Sequence, residues 1–564
     1  VTEPHFRPYP TYAELTERLE SLAARYPHIF SLSSIGETPE GRSIWMATLT
    51  DTRVGGGDSK PAIWLDGNTH AAELASSAMC LYACEQLCEG SEGRDDIRQL
   101  LERVTFYVVP RISADGAEFV LREGKPLRSA PRPWPEDRPP GFQVEDMDGD
   151  GRVRQMRVQS PGGAWKSSSE DSRLMTARGP GDRGGPFYDL YPEGFFEEGS
   201  ELDKGLDGTS SYGHDFNRNY PQGWRGVHDQ KGAGDYPLSH PETRAVVDQF
   251  LRCNRVSVAL TYHTYCGAIL RPFSDGPDDG MNAHDLGVYE DLGKMGSATT
   301  GYPAFSVYHG FTSLLPTKIT GGFDDWAYLH TGAFAFTIEL WNVAERAGVQ
   351  IDNPANFHFM GGMSDAQLKQ VLDWSDQHPQ HKGFKNWTPV EHPQLGSVEV
   401  GGWDRIGFWQ NPPASELDAE CEKNFRFVLD LANAVPQLGP VEVETKRLGP
   451  GIWQVTAVVS NEGYLPTSGS KIGEERGNKG RVQFSLDLSA SCSLVEGRPE
   501  FSVDALSGVS TVHQGNFTDS VSYGGDRCQK STKASWVIEG AGSVTISVDG
   551  AKAGRRQVSV TLAE

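Results

Sequence analysis

Past Pro440 the chain shows no helical period, whereas before it helices and strands alternate. A change of period of this kind, in a chain of 564 residues, rules out one continuous core. GIWQVTAVVSN, KGRVQFSLDL, ASWVIEG, SVTISVD and RQVSVTLAE are short runs in which apolar and polar residues alternate, separated by turn residues. That pattern predicts a β-sandwich. The stretch 436–441 is marked by Pro and Gly, so the sequence predicts two units, 1–438 and 439–564.

In the first unit, Thr11 and Glu14 form a capping box that opens the helix TYAELTERLESLAARYP, with Leu15, Leu19 and Leu22 on one face. SIWMATL (43–49), PAIWLDG (61–67) and VTFYVVPRI (104–112) read as strands, and AAELASSAMCLYACEQLC between the last two reads as a helix. Further along come a helix over 241–253, strands over 256–264 and 333–341, and helices near 364–378 and 415–434. Strands interleaved with helices predict an α/β layered domain. Residues from about 120 to 214 are rich in Pro, Gly and charge and show little period. A stretch that long inside a compact domain is expected to serve the site or bind an ion.

Charge narrows the partners. Lys and Arg number 52 against 76 Asp and Glu, a net charge of -24, which argues against a nucleic-acid groove and against docking on anionic lipid. No apolar run is long enough to span a bilayer. A 37% hydrophobic content with 13 Trp excludes a disordered chain. Cys80, Cys84 and Cys88 share one helix face and read as small core residues, and Cys492 and Cys528 would be placed to bridge in an exported chain. The start Val1-Thr2-Glu3-Pro4 shows no signal peptide, and a processed, secreted or periplasmic chain is the expectation.

The residues that carry chemistry begin at GNTHAAEL, where a strand runs into His70 and Glu73. A nitrogen and a carboxylate three residues apart can meet one cation. A third candidate donor, His263, ends the apolar strand in TYHTYCG. Asn217 and Arg218 in HDFNRNYP pair an amide with a guanidinium, a combination suited to a terminal carboxylate. Glu339 stands inside the apolar run AFAFTIELW, where a carboxylate is costly unless it is paired or kept for proton transfer.

In this order, His-x-x-Glu, Asn-Arg-Asn, His-x-Tyr and Thr-x-Glu-Leu resemble the zinc carboxypeptidases of the A and B type. The resemblance runs over roughly residues 5 to 345 and includes the entry helix and Glu-Gly-Arg turn, SADGAEF, and GGFDDWAY. It implies a mixed eight-stranded sheet flanked by helices, with the C-terminal sandwich appended. It further implies zinc on His70, Glu73 and His263, Glu339 as general base, and Asn217 and Arg218 on the C-terminus of a peptide or protein substrate. By the same resemblance Tyr265 matches a cleft tyrosine. Met156-Arg157 resembles the family's Met-Trp-Arg-Lys stretch, which puts the oxyanion-stabilising arginine at Arg157, with Arg154 as its competitor.

Departures from the family pattern are equally specific. The position of the mobile-loop tyrosine is Thr317, with Tyr308 as the nearest phenol, and the outer-subsite arginine is Ala72. Asp324 falls where carboxypeptidase B carries the aspartate that pairs with Lys or Arg side chains; the other reading is that it caps local backbone. Asp146, Asp148 and Asp150 occupy positions 1, 3 and 5 of a calcium-type loop, but position 12 is Arg157, so the alternatives are a calcium site or a solvated acidic turn. The expected activity is therefore a zinc metallocarboxypeptidase. Its rivals are a zinc amidase for peptidoglycan stem peptides or other amide conjugates, and a binding protein with a disabled zinc domain.

Overall fold

A computed structural model describes residues 5–132, 140–200, 213–312, 318–351, 363–477, 480–512 and 529–563. An eight-stranded mixed sheet forms the centre of the first unit. From edge to edge it runs Phe30–Glu37, Ser43–Leu49, Thr105–Val109, Ala62–Gly67, Val256–Thr264, Phe334–Leu340, Ala268–Arg271 and Ala304–Ser306. Ala62–Gly67, Val256–Thr264 and Phe334–Leu340 are mutually parallel neighbours and are buried along their whole length. Helices cover both faces of such strands, which is why they read as unbroken apolar runs. The capping box Thr11–Glu14 opens the helix Tyr12–Arg25, which buries Leu15, Leu19 and Leu22. Cys80, Cys84 and Cys88 lie buried along the helix Leu74–Gly93.

Parallel strands aim their carboxyl ends at one edge of the sheet. Where strand order reverses, the loops leaving those ends part and open a crevice. Ala62–Gly67 is such a point, since its chain neighbour Thr105–Val109 pairs on one side and Val256–Thr264 on the other. His70 follows the first strand, His263 ends the second, and Glu339 stands directly opposite His263 in the third.

The segment 120–214 is richer in structure than its sequence suggests. Gln155–Gln159, Trp165–Ser167, Met175–Ala177 and Tyr188–Pro192 join Phe384–His392 and Gly396–Trp403 in a six-stranded sheet, and Phe142–Val144 pairs with Gly194–Phe196. Phe142, Val144, Met156, Phe196, Val398 and Val400 form its core. Strands of three to five residues carry too little period to stand out, and the hairpin they pair with lies far along the sequence, with Arg157 meeting Glu399 across 242 residues.

Two four-stranded antiparallel sheets make the C-terminal sandwich: Glu442–Gly449, Ile452–Ser460, Ser531–Gly540 and Cys492–Glu496 against Glu500–Ala505, Arg481–Leu488, Gly542–Asp549 and Arg555–Leu562. Val455, Phe484, Trp536 and Ile546 are among the residues meeting between them. The sandwich is tied to the first unit by Arg255 on Asp549 (2.8 Å) and by Asp285, which accepts the Lys471 and Ile472 amides. Cys528, the expected partner of Cys492, lies outside the described residues.

Candidate active site

Asn68 shapes the turn that carries the first two donors. It takes a left-handed conformation (φ 59°), and its side-chain amide donates to the carbonyls of His70, Ala71 and Glu73. Residues 70–73 are thus a tight turn, and the helix starts only at Leu74. The turn brings His70 Nδ1 within 2.8 Å of Glu73 Oε1. His263 Nδ1 lies 3.0 Å from His70 Nδ1 and 3.0 Å from Glu73 Oε2. All three side chains are buried.

Proton placement decides what this cluster can hold. His70 Nε2 faces Asp215 Oδ1 at 3.1 Å, so the ring proton belongs there and Nδ1 presents its lone pair inward. Burial lowers the His263 pKa against the pull of Glu73, which favours the neutral ring. Burial pushes Glu73 upward, but His70 and His263 outweigh it and hold the carboxyl well below the usual range. Two imidazole nitrogens and a carboxylate converging in a dry site are the donor set of a zinc centre with an open fourth position.

Around the cluster sit groups suited to hydrolysis. Glu339 is 6% exposed, and its Oε2 has no hydrogen-bond partner. Burial and then the nearby Glu73 charge raise its pKa well above normal, against Arg128. Arg128 donates Nε to Asp215 Oδ2 at 2.9 Å and places Nη1 3.6 Å from Glu73 Oε1, with 42% of its side chain open to solvent. Although burial opposes it, the charges of Arg128, Arg218 and His70 hold Asp215 well below the usual carboxylate range.

Arg157 corrects the expectation drawn from the sequence. It lies in the six-stranded sheet, donates to Glu399 at 2.8 Å and is sandwiched between the rings of Tyr188 and Trp387. Arg154, the competitor, pairs with Asp150 at 2.6 Å. Among the described residues, the guanidinium that reaches the metal cluster belongs to Arg128. In the sequence Arg128 follows the SADG loop at 113–116 without a motif of its own, whereas Met156-Arg157 resembles one. Asp215, two residues before Asn217, likewise has no sequence motif, and its contacts with His70 and Arg128 form only in the fold.

The remaining candidates fall nearby. Asn217 Oδ1 accepts the Phe323 amide, and Arg218 Nη1 donates to the Asn217 carbonyl. Burial lowers the Arg218 pKa, with the charges of Asp215 and Asp324 opposing. Asp324 is 3% exposed, with Oδ1 on the Asp325 amide and Oδ2 accepting from the Thr337 hydroxyl, while Asp325 takes the Ser274 amide. Burial raises the Asp324 pKa. Tyr265 follows His263 and is buried. Tyr308 carries the Lys318 ammonium 4.0 Å over its ring, Thr317 lies outside the described residues, and the Ala72 carbonyl is bonded by Asn411.

The acidic loop differs from a position-1, -3, -5 site. Asp146 and Asp148 converge with Glu193, while Lys385 bridges Asp148 and Asp150 and Arg154 pairs with Asp150.

Comparison with known proteins gives the family. The family model described as zinc carboxypeptidase matches residues 15–351, and a domain of unknown function matches 437–561. Carboxypeptidase B of Astacus astacus is 26% identical over 353 residues, covering 59% of this chain and 86% of that enzyme. Carboxypeptidase B of Rattus norvegicus is 24% identical over 330 residues, covering 57% of this chain and 60% of that enzyme. The structure of thrombin activatable fibrinolysis inhibitor aligns with a TM-score of 0.43 at 18% identity, covering 75% of this chain and 73% of that one. With its family model matched across most of the first unit, the chain belongs to the zinc carboxypeptidases, a family of metallopeptidase hydrolases.

Proposed function

We propose that the chain removes C-terminal residues from peptides, with residues 1–438 as the catalytic unit and 439–564 as the appended sandwich. The observation that carries this is the buried Glu339 carboxyl, its Oε2 without a partner, opposite His263 of the His70–Glu73–His263 cluster. Zinc bound by those three residues would supply Lewis acidity to the scissile carbonyl and a water of lowered pKa. Glu339 takes the proton of the attacking water and returns it to the leaving amine, a role for which a buried carboxyl of raised pKa is suited. Arg128 aims its guanidinium at the oxyanion that develops on the carbonyl oxygen. Asp215 orients both His70 and Arg128.

Arg218 and Asn217 take the substrate's terminal carboxylate, and Tyr265 lines the cleft. Asp324, a buried carboxyl whose pKa burial raises against the Arg218 charge, selects a cationic side chain, which would favour its ionised form and complete its charge balance. No helix among the described residues is long and apolar enough to cross a membrane, and export of the chain belongs to the same proposal.

The test is hydrolysis of blocked dipeptides ending in Arg, Lys, Phe, Leu or Glu, by wild type and Glu339→Gln, with zinc content measured in both. Release from the Arg and Lys members, lost in the variant at equal zinc, is the expected result. A zinc-loaded wild type that releases nothing from the panel would overturn the exopeptidase reading and point to cell-wall or conjugated amides.

A further inference from the structure

The six-stranded sheet and the loop beneath it hold a second group of carboxylates, remote from the zinc centre in role and composition. The loop 145–154 turns at Gly149 (φ 75°) and Gly151 (φ 81°), with Asp146 accepting the amides of both glycines at 2.8 and 2.7 Å. Both ends of the loop are bonded to one residue across from it: Glu193 donates its amide to the Arg154 carbonyl, and its own carbonyl accepts the Glu145 amide. This stitching turns the Glu193 side chain into the loop. One oxygen each of Asp146, Asp148 and Glu193 fall within 4.8 Å of one another.

Glu193 makes this group more than a solvated acidic turn. Its residue is fully buried, and its Oε1 has no hydrogen-bond partner. Charges do not balance across the cluster: Asp146, Asp148, Asp150 and Glu193 face Lys385, bonded to Asp148 and Asp150, and Arg154, bonded to Asp150. Two negative charges remain, because Arg152 is taken by Asp404 and Lys125 by Glu145. A buried carboxylate without a counter-charge is costly unless a cation meets it.

We propose that Asp146, Asp148 and Glu193 bind one calcium ion, with Asp150 outside the converging set, paired with Arg154 and sharing Lys385 with Asp148. The donors are all hard oxygens with no imidazole or thiolate among them, which suits a hard cation such as calcium and not zinc or copper. The ion braces the segment leading to Arg128. Gly151 packs against Gly124, leaving its carbonyl oxygen 3.0 Å from where a Cβ at Gly124 would stand; His5 bonds the same oxygen at 2.8 Å, and Lys125 pairs with Glu145 at 2.7 Å.

The test is calorimetric titration of the full-length, zinc-loaded protein with calcium chloride in magnesium-free buffer, with zinc content and circular dichroism confirming that each variant is folded. One calcium per chain is expected, with affinity falling at least ~10-fold in Glu193→Gln and in Asp146→Asn while Asp150→Asn stays within ~3-fold of wild type. Calcium should also raise the melting temperature of wild type more than that of Glu193→Gln. A wild type that takes up no calcium, or a folded Glu193→Gln that binds as tightly as wild type, overturns the site. Loss of binding in Asp150→Asn equal to that in Glu193→Gln overturns the ligand assignment. Magnesium chloride saturating the same site at equal concentration overturns the choice of ion.

Discussion

His70 Nε2 stands 3.1 Å from Asp215 Oδ1, and the other oxygen of that carboxylate accepts from Arg128 at 2.9 Å. One carboxylate therefore contacts both an imidazole of the candidate metal cluster and the guanidinium that approaches Glu73.

Asp215→Asn keeps the shape of that residue and removes its charge. Zinc affinity should fall by ~10–100-fold, as measured by competition with a chromogenic chelator. Unchanged affinity would show that the ring of His70 is held by Glu73 alone.

Arg128 and Arg157 can be separated by kinetics. Arg128→Ala should lower kcat by ~10²–10³-fold with zinc retained. Arg157→Ala should change kcat little and act on stability, since it removes the contact with Glu399 and the packing between Tyr188 and Trp387. Equal losses in both variants would sink the assignment of Arg128.

Glu339→Gln should lower kcat by ~10²–10⁴-fold, with KM and zinc content close to wild type, because the amide keeps the shape and cannot take a proton. A matching loss of zinc would mean that Glu339 serves the cluster and not the chemistry.

Asp324→Asn should reduce the preference for C-terminal Arg over Leu by at least ~10-fold in kcat/KM, which is ~1.4 kcal/mol of discrimination. An unchanged ratio would leave Asp324 as a cap for the Asp325 amide, the role its Oδ1 plays in the structure.

Lys552 gives a pH dependence of stability at the seam between the two units. Burial lowers its ammonium to about 7, and Nζ donates to the Thr331 carbonyl at 2.9 Å. Unfolded, the group titrates near ~10.4. Between these values the unfolded chain binds the extra proton, so the Lys552 contribution to stability rises with pH across that window and is least favourable below about 7. The melting temperature of wild type relative to Lys552→Met should therefore climb from pH 7 to pH 9. A flat difference would show that the amine titrates normally in the fold.

Features legible in the linear chain lie within a few residues or in a long period. The capping box of Thr11 and Glu14, the buried strands, the His70–Glu73 pair and the alternating strands beyond Pro440 are local patterns, and local patterns are imposed by backbone geometry, whereas the place of His263 and Glu339 is implied by the resemblance to the zinc carboxypeptidases. Tertiary structure decided the rest. Asp215 reaches His70 across 145 residues of sequence, and Arg128 meets Asp215 across 87. Lys385 reaches Asp148 across 237, and the insertion becomes a sheet only when the hairpin of Phe384–His392 and Gly396–Trp403 supplies its partners. Asp150 and Arg157 look like functional residues in the linear text, yet each is neutralised by a charge that folding brings from elsewhere. A side chain's type and spacing state what it can bind; its partner, and so its role, depends on which distant group closes the contact.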